Sequence, residues 1–212
     1  MVPAQESLLE NRQEFAKIEA SNSSEPTHQM NSRQETFYII TGGPGVGKTT
    51  LLIELEKSGY NTVPEIARQI IKEQMAINGD GLPWKNKELY TDLMLKASLQ
   101  SYNLIRANNS SSIYFFDRGI LDTLCYAEMI GLGVSDEMIE ITDNCKYNKK
   151  VFILPPWLEI YQTDNERKQT WQEAEWTFRK MKEIYLKYDY DVIEVPKDSV
   201  ENRKNYIVKQ LC

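Results

Sequence analysis

Eight consecutive residues, Gly42-Gly43-Pro44-Gly45-Val46-Gly47-Lys48-Thr49, constrain this chain more than any other feature. They read G-x-x-x-x-G-K-T and stand between an apolar run, Thr36–Thr41 (TFYIIT), and a segment of helical pattern starting at Thr49. Glycines let the backbone curl until successive N–H groups face one point, and the N-terminus of the following helix adds positive potential there. The pattern predicts a cradle for nucleotide phosphates at Gly42, Gly43, Pro44, Gly45, Val46, Gly47, Lys48, Thr49 and Thr50. Lys48 is placed to reach the β- and γ-phosphates and Thr49 to ligate Mg²⁺. ATP is the expected donor, with GTP open.

The rest of the chain alternates short apolar runs with helical patterns. Strands are expected at Thr36–Thr41, Asn61–Val63, Ser112–Phe116, Lys150–Leu154 and Val192–Val195. Helices are expected at Thr49–Ser58, Glu65 to about Asn78, Lys87–Ala107, after the Ser112–Phe116 strand through Met129 and Ile130, at Gln172–Tyr188 and at Val200–Leu211. Such alternation predicts an α/β fold of three layers, with a mostly parallel sheet of about five strands covered on both faces. Ligands of such sheets gather beyond the carboxyl ends of the strands, so the chemistry is expected after Thr41, Val63, Phe116 and Leu154.

Chemistry-bearing residues stand at those places. In SIYFFDRG an apolar strand delivers Asp117 to the active edge, the position from which a carboxylate holds Mg²⁺ directly or through water. ATPases that power motion commonly place a glutamate next, to activate water; here the neighbour is Arg118, a cation suited to an acceptor or to the transferring phosphoryl group. Asp122 stands four residues on, spaced either to orient Arg118 or to meet an acceptor hydroxyl. After the second strand, Val63-Pro64-Glu65-Ile66-Ala67-Arg68 opens a helix, with Glu65 and Arg68 three apart and able to share one face. By its place at the helix start, Glu65 reads as a cap paired with Arg68. After the fourth strand, Pro155 and Pro156 lead to a polar run carrying Arg167 and Lys168, which could close over a nucleotide.

GGPGVGKTT, VPEIAR, FFDRG and the late NERKQ segment together resemble the P-loop kinase group: deoxynucleoside kinases, thymidylate kinase and the ribosylnicotinamide kinase domain. The likeness extends to proteins labelled AAA-type ATPases and covers most of Thr36–Leu211. It implies a P-loop NTPase three-layer sandwich with a helical, arginine-bearing lid. VPEIAR is similar to a segment of deoxynucleoside kinases whose glutamate accepts the proton of the attacking hydroxyl. The resemblance therefore implies Glu65 as base and an arginine on the lid, for which Arg167 is the candidate; Arg68, Arg118 and Asp122 are the candidates, by their positions, for meeting the acceptor. Gln100, within LQSY, is similar to the base-reading glutamines of nucleoside kinases.

Composition narrows the classes. A net charge of −6 argues against general nucleic-acid binding, which needs a basic face. His28 is the only histidine, which removes histidine-based triads and histidine-rich metal sites. Cys125, Cys145 and Cys212 lack metal spacing and read as reduced thiols. No long apolar run points to a membrane, so a cytoplasmic location is expected. Residues 1–35 read as a short helix and a polar linker, an arm through which a protein partner or a second copy could bind; residues 36–212 read as the nucleotide-binding domain. The expected function is a small-molecule kinase using Mg·ATP on a nucleoside, nucleotide or similar metabolite. The alternative is an AAA-type ATPase or nucleotide-dependent switch without a small-molecule acceptor. Asn148-Lys149-Lys150-Val151 fails the guanine-reading NKxD pattern at its last position.

Overall fold

The computed structural model describes residues 36–108, 111–160 and 170–211. The expected N-terminal helix and linker, His28, Cys212, Arg167 and Lys168 lie outside the described residues.

The elements run β1 (Phe37–Thr41), α1 (Lys48–Lys57), β2 (Asn61–Val63), α2 (Ile66–Ala76), α3 (Lys87–Ala107), β3 (Tyr114–Asp117), α4 (Ile120–Met129) and α5 (Asp136–Asn144). They continue with β4 (Lys150–Ile153), a 3₁₀ turn at Leu158–Ile160, α6 (Trp171–Lys187), β5 (Asp191–Glu194) and α7 (Val200–Val208). The five strands form one sheet in the order β2-β3-β1-β4-β5, and every pairing is parallel. β1, buried along its whole length, lies at the centre.

Pleating sends neighbouring residues of a strand to opposite faces, and the two cores follow that alternation. Phe37, Ile39, Phe116, Val151 and Ile153 pack on one face beneath α3, α4, α5 and α6, with Leu124 and Tyr185 fully buried among them. Tyr38, Ile40, Phe115, Phe152 and Leu154 pack on the other face against Leu51 and Leu55 of α1 and Ile207 of α7. This is the expected three-layer α/β sandwich. A third, small cluster of Ile70, Tyr90 and Met94 joins α2 to α3 beside the sheet.

The connection after β1 crosses over β3 to reach β2, while the connection after β3 crosses β1 to reach β4. The order therefore reverses between β1 and β3, which opens a crevice at the carboxyl ends of those strands.

The helix α5 has no counterpart in the sequence reading. It is started by Ser135, whose hydroxyl accepts from the Met138 backbone N–H, and its first turn carries Asp136 and Glu137. Cys125 and Cys145 are buried free thiols. Burial pushes the Cys125 thiol up to about 12 and the Cys145 thiol to about 11, so both are protonated and unreactive. None of the described helices is long and apolar enough to cross a membrane.

Candidate functional site

The loop between β1 and α1 is shaped by its glycines. Gly42 has φ +136°, and a Cβ on it would meet the Leu154 carbonyl oxygen at 2.6 Å, so no other residue fits there. Gly47 precedes α1 with φ +85°, and no side chain caps the helix N-terminus. The first-turn N–H groups of α1 are thus left for an anion, and no acidic residue in that turn competes for them.

Lys48 is buried and donates to the carbonyl oxygens of Gly42 and Gly43, both at 2.9 Å. An ammonium has three N–H donors, so one remains for a phosphate oxygen. Burial and the nearby Arg118 guanidinium bring Lys48 down to about 8, against the opposing pull of Asp117 and Glu65. Thr49 and Thr50 are exposed at the start of α1.

Asp117 ends β3, and its Oδ1 is buried without a hydrogen-bond partner. Burial raises its pKa, and Glu65 and Asp122 add to the effect against Lys48. An orphaned, desolvated carboxylate oxygen beside a phosphate cradle is what a divalent cation would satisfy, so the residues fit Mg²⁺, with the exposed Thr49 hydroxyl as second protein ligand.

The next residue, Arg118, has φ +78°, a left-handed conformation that side-chain-bearing residues rarely adopt and that stores of order 1–3 kcal/mol. Its backbone N–H still bonds Ile40 O at 3.0 Å, so the sheet ladder holds the residue while the chain turns away. The side chain spans two carboxylates. Nε donates to Glu65 Oε1 at 2.9 Å, and Nη1 donates to Asp122 Oδ1 at 3.2 Å.

Asp122 is buried, and both its oxygens are committed. Oδ1 takes the Thr41 hydroxyl as well as Arg118; Oδ2 takes the Gly119 backbone N–H at 2.8 Å and the Tyr185 hydroxyl at 2.6 Å. Of the two roles open to Asp122, this geometry matches orienting Arg118. Glu65 occupies the N-cap position of α2 without a side-chain capping bond and instead faces Arg118, with Arg68 at 3.5 Å on its other oxygen. Burial alone would raise Glu65, but Arg118, Lys48 and Arg68 outweigh it and hold the carboxyl below its ordinary value. It is a carboxylate at neutral pH.

Beside this pair lies a cavity of about 680 Å³, lined by Gly43 and Pro44 of the loop and by Glu65, Asp117, Arg118 and Asp122. One wall is the stripe Tyr90, Met94, Ser98 and Ser101 of α3. Gln100 is exposed and outside that lining; two residues beyond Ser98 lies about 200° round the helix, facing away.

Two contributors escaped the sequence reading. Tyr185, fully buried on α6, packs in the core and also carries the donor to Asp122. Arg203, in the charged-looking stretch ENRKN, is buried on α7 and donates to the Val46 carbonyl at 3.3 Å, with its guanidinium 5.7 Å from the Trp157 ring. A signal for Arg203 existed: it shares a helix face with Val200 and Ile207, the apolar stripe of α7.

A five-stranded parallel sheet, a glycine loop entering a helix, and an aspartate closing the neighbouring strand define a P-loop α/β nucleotide-binding domain. The sequence profile of the AAA domain family matches residues 37–203, and the chain belongs to that family. No curated protein matches it in sequence. Its fold is similar to that of NadR, solved in complex with NR, with a TM-score of 0.62 and 17% identity over 85% of this chain and 51% of NadR. The chain thus spans about half the length of NadR. It is also similar to deoxyadenosine kinase from M. mycoides, with a TM-score of 0.57 and 19% identity over 82% of this chain and 98% of that one. Thymidylate kinase from Ehrlichia chaffeensis gives a TM-score of 0.55 and 17% identity over 84% and 98%. At these identities the likeness establishes the fold.

Proposed function

We propose that the chain is a small-molecule kinase that transfers the γ-phosphoryl group of Mg·ATP to a hydroxyl, with residues 36–212 as its catalytic domain and the cytoplasm as its place of work. The observation that carries this reading is the Glu65–Arg118 ion pair of 2.9 Å in the lining of a cavity beside the phosphate loop. A hydrolase needs a carboxylate aimed at water beside the γ-phosphate; here the residue after Asp117 is a cation, and the carboxylate is turned toward an acceptor cavity. The similar folds of deoxyadenosine kinase and thymidylate kinase support the same reading.

In the proposed step the acceptor O–H attacks the γ-phosphorus. The new P–O bond forms as the bond to the β,γ-bridging oxygen breaks, the proton passes to Glu65, and ADP leaves. Residues 42–50 cradle the phosphates, and the free N–H of Lys48 meets the β- and γ-oxygens. Mg²⁺, bound by Asp117 and Thr49, would neutralise charge on those oxygens. Arg118 offers its guanidinium to the transferring group while holding Glu65 ionised, and Arg68 leans on the other oxygen of Glu65. Arg167, outside the described residues, would supply the lid charge.

The test is production of ADP and GDP from Mg·ATP and Mg·GTP, with and without nucleosides, nucleotides and nicotinamide riboside. Turnover that needs one acceptor establishes the kinase and its substrate together. Slow turnover indifferent to every acceptor removes this reading and leaves a nucleotide-dependent switch, with residues 1–35 as the place to look for a partner.

A further inference from the structure

We infer, resting on the kinase reading above, that the acceptor is an alcohol without any anionic group of its own: an unphosphorylated, uncarboxylated molecule with a flat apolar or cationic body. The charges around the cavity carry the argument. Among the described lining residues four are carboxylates, Glu65, Asp117, Asp122 and Glu173, and Arg118 is the one cation. Arg118 is already shared between Glu65 and Asp122. A phosphorylated acceptor needs the opposite arrangement, with guanidinium forks free to take a second phosphate.

Neighbouring cations do not change this balance. Lys48 spends two of its three N–H donors on the loop, and in the kinase reading the third serves the nucleotide phosphates. Arg68 lies outside the lining, half exposed, and leans on Glu65 at 3.5 Å. An anion on the acceptor would lose its water and meet four carboxylates, and among the described lining residues only the remaining N–H groups of Arg118, which in the kinase reading serve the transferring group, could compensate.

The remaining wall suits a different guest. Met94, Met129 and Met181 offer polarisable, adaptable contact, and Tyr90, Tyr126 and Trp176 offer ring faces. Tyr90 and Tyr126 stand edge to face, with centroids 5.6 Å apart. Rings in a lining where carboxylates outnumber cations four to one welcome a neutral or a positively charged ring and repel a negative one. The hydroxyls of Ser98 and Ser101 can bond a neutral polar edge. A cavity of about 680 Å³ is within the range of small-molecule sites.

The experiment compares acceptors in matched pairs: thymidine, adenosine and nicotinamide riboside, each against its own 5′-monophosphate. Binding is measured by calorimetry on the full chain with Mg·AMP-PNP, and ADP production is measured with Mg·ATP. The expected result is that an unphosphorylated member binds at least about tenfold more tightly than its partner, roughly 1.4 kcal/mol, and alone supports turnover. Preference for nicotinamide riboside would mark a cationic body, and preference for thymidine or adenosine a neutral one. A monophosphate that binds as tightly as its nucleoside, or that turns over instead of it, overturns the inference and leaves the kinase reading intact. If no member of any pair binds and ADP forms equally without them, both fall together.

Discussion

The Tyr185 hydroxyl donates to Asp122 Oδ2 at 2.6 Å, and through that bond α6 helps to set the direction of Arg118. Asp122 passes the constraint on through its other oxygen, 3.2 Å from Arg118 Nη1, and Arg118 passes it to Glu65. Three elements far apart in sequence thereby agree on the placing of one carboxylate. Each bond in this chain is buried or half-buried, where a hydrogen bond to a charged group is stronger than in water.

Tyr185→Phe is the mildest cut into that chain. The ring stays packed and only the donor is lost, so the fold loses about 1.5–3 kcal/mol, the usual cost of a hydrogen bond to a charged partner. Asp122 keeps the Gly119 N–H and the Thr41 hydroxyl but gains freedom to tilt Arg118. The expected outcome is a several-fold fall in kcat with little change in KM for ATP, checked by steady-state kinetics beside a urea titration.

Arg118→Gln tests the pairing with Glu65 directly. Burial pushes Glu65 up, and Arg118 leads the forces that push it down. Without the guanidinium the carboxyl should rise, because burial then loses its chief opponent. A base works only when ionised, so the acid limb of the kcat profile should move to higher pH. The plateau should fall about 10²–10³-fold as a charge on the transferring group is lost. An unmoved acid limb would show that Glu65 is not the group titrating.

Most of this arrangement was legible in the sequence because strand ends carry the chemistry and apolar strands announce their ends. FFDRG fixed the place of Asp117 and Arg118, and β2 and α3 lie where their patterns put them. The helix α5 was missed although Ser135-Asp136-Glu137 is a readable N-terminal signal, because its core-facing residues number only Met138 and Thr142. What the sequence could not show is the convergence of side chains across distance. Nothing local distinguishes Tyr185 from its tyrosine neighbours, and the direction of Gln100 away from the cavity follows from a rotation of α3 that packing decides. The strand order, which sets the crevice between β1 and β3, is likewise a property of the assembled sheet.

Lys48 gives the nucleotide site its own pH dependence. In the free protein its ammonium titrates at about 8, lowered first by burial and then by Arg118. Phosphates bound against it favour the charged form, so the pKa in the complex is higher than in the free protein. Below pH 8 the lysine is charged in both states and affinity for Mg·ATP is flat with respect to this group. As pH rises past 8 the free protein loses the proton while the complex keeps it, so affinity falls and binding takes up a proton. Calorimetry in buffers of different ionisation enthalpy measures that uptake: close to zero at pH 6.5, and approaching one proton at pH 9. Lys48→Ala should abolish the uptake and weaken binding; equal uptake in that variant would assign the titration to another group.

The last prediction concerns Arg203, which touches the phosphate loop from α7. Its guanidinium bonds the Val46 carbonyl, and a Cβ placed on Gly47 would meet its two terminal nitrogens at 3.0 and 3.2 Å. The same side chain buries its Nε without a partner, and burial lowers its pKa. Replacing a desolvated, partly satisfied charge with an apolar chain of similar length costs little and is often neutral. Arg203→Met should therefore leave thermal stability within about 1 kcal/mol of the parent. Loop geometry is another matter, because the carbonyl of Val46 loses its tether one residue before the glycine that opens α1. The expected effect is an increase in the Kd for Mg·ATP of roughly tenfold, about 1.4 kcal/mol. Arg203→Lys should recover only part of it, since a single ammonium cannot both bond Val46 and reach the Trp157 ring as the broad guanidinium does. Stability and affinity falling in step would make Arg203 an ordinary core residue; affinity falling alone makes it a positioning residue of the loop.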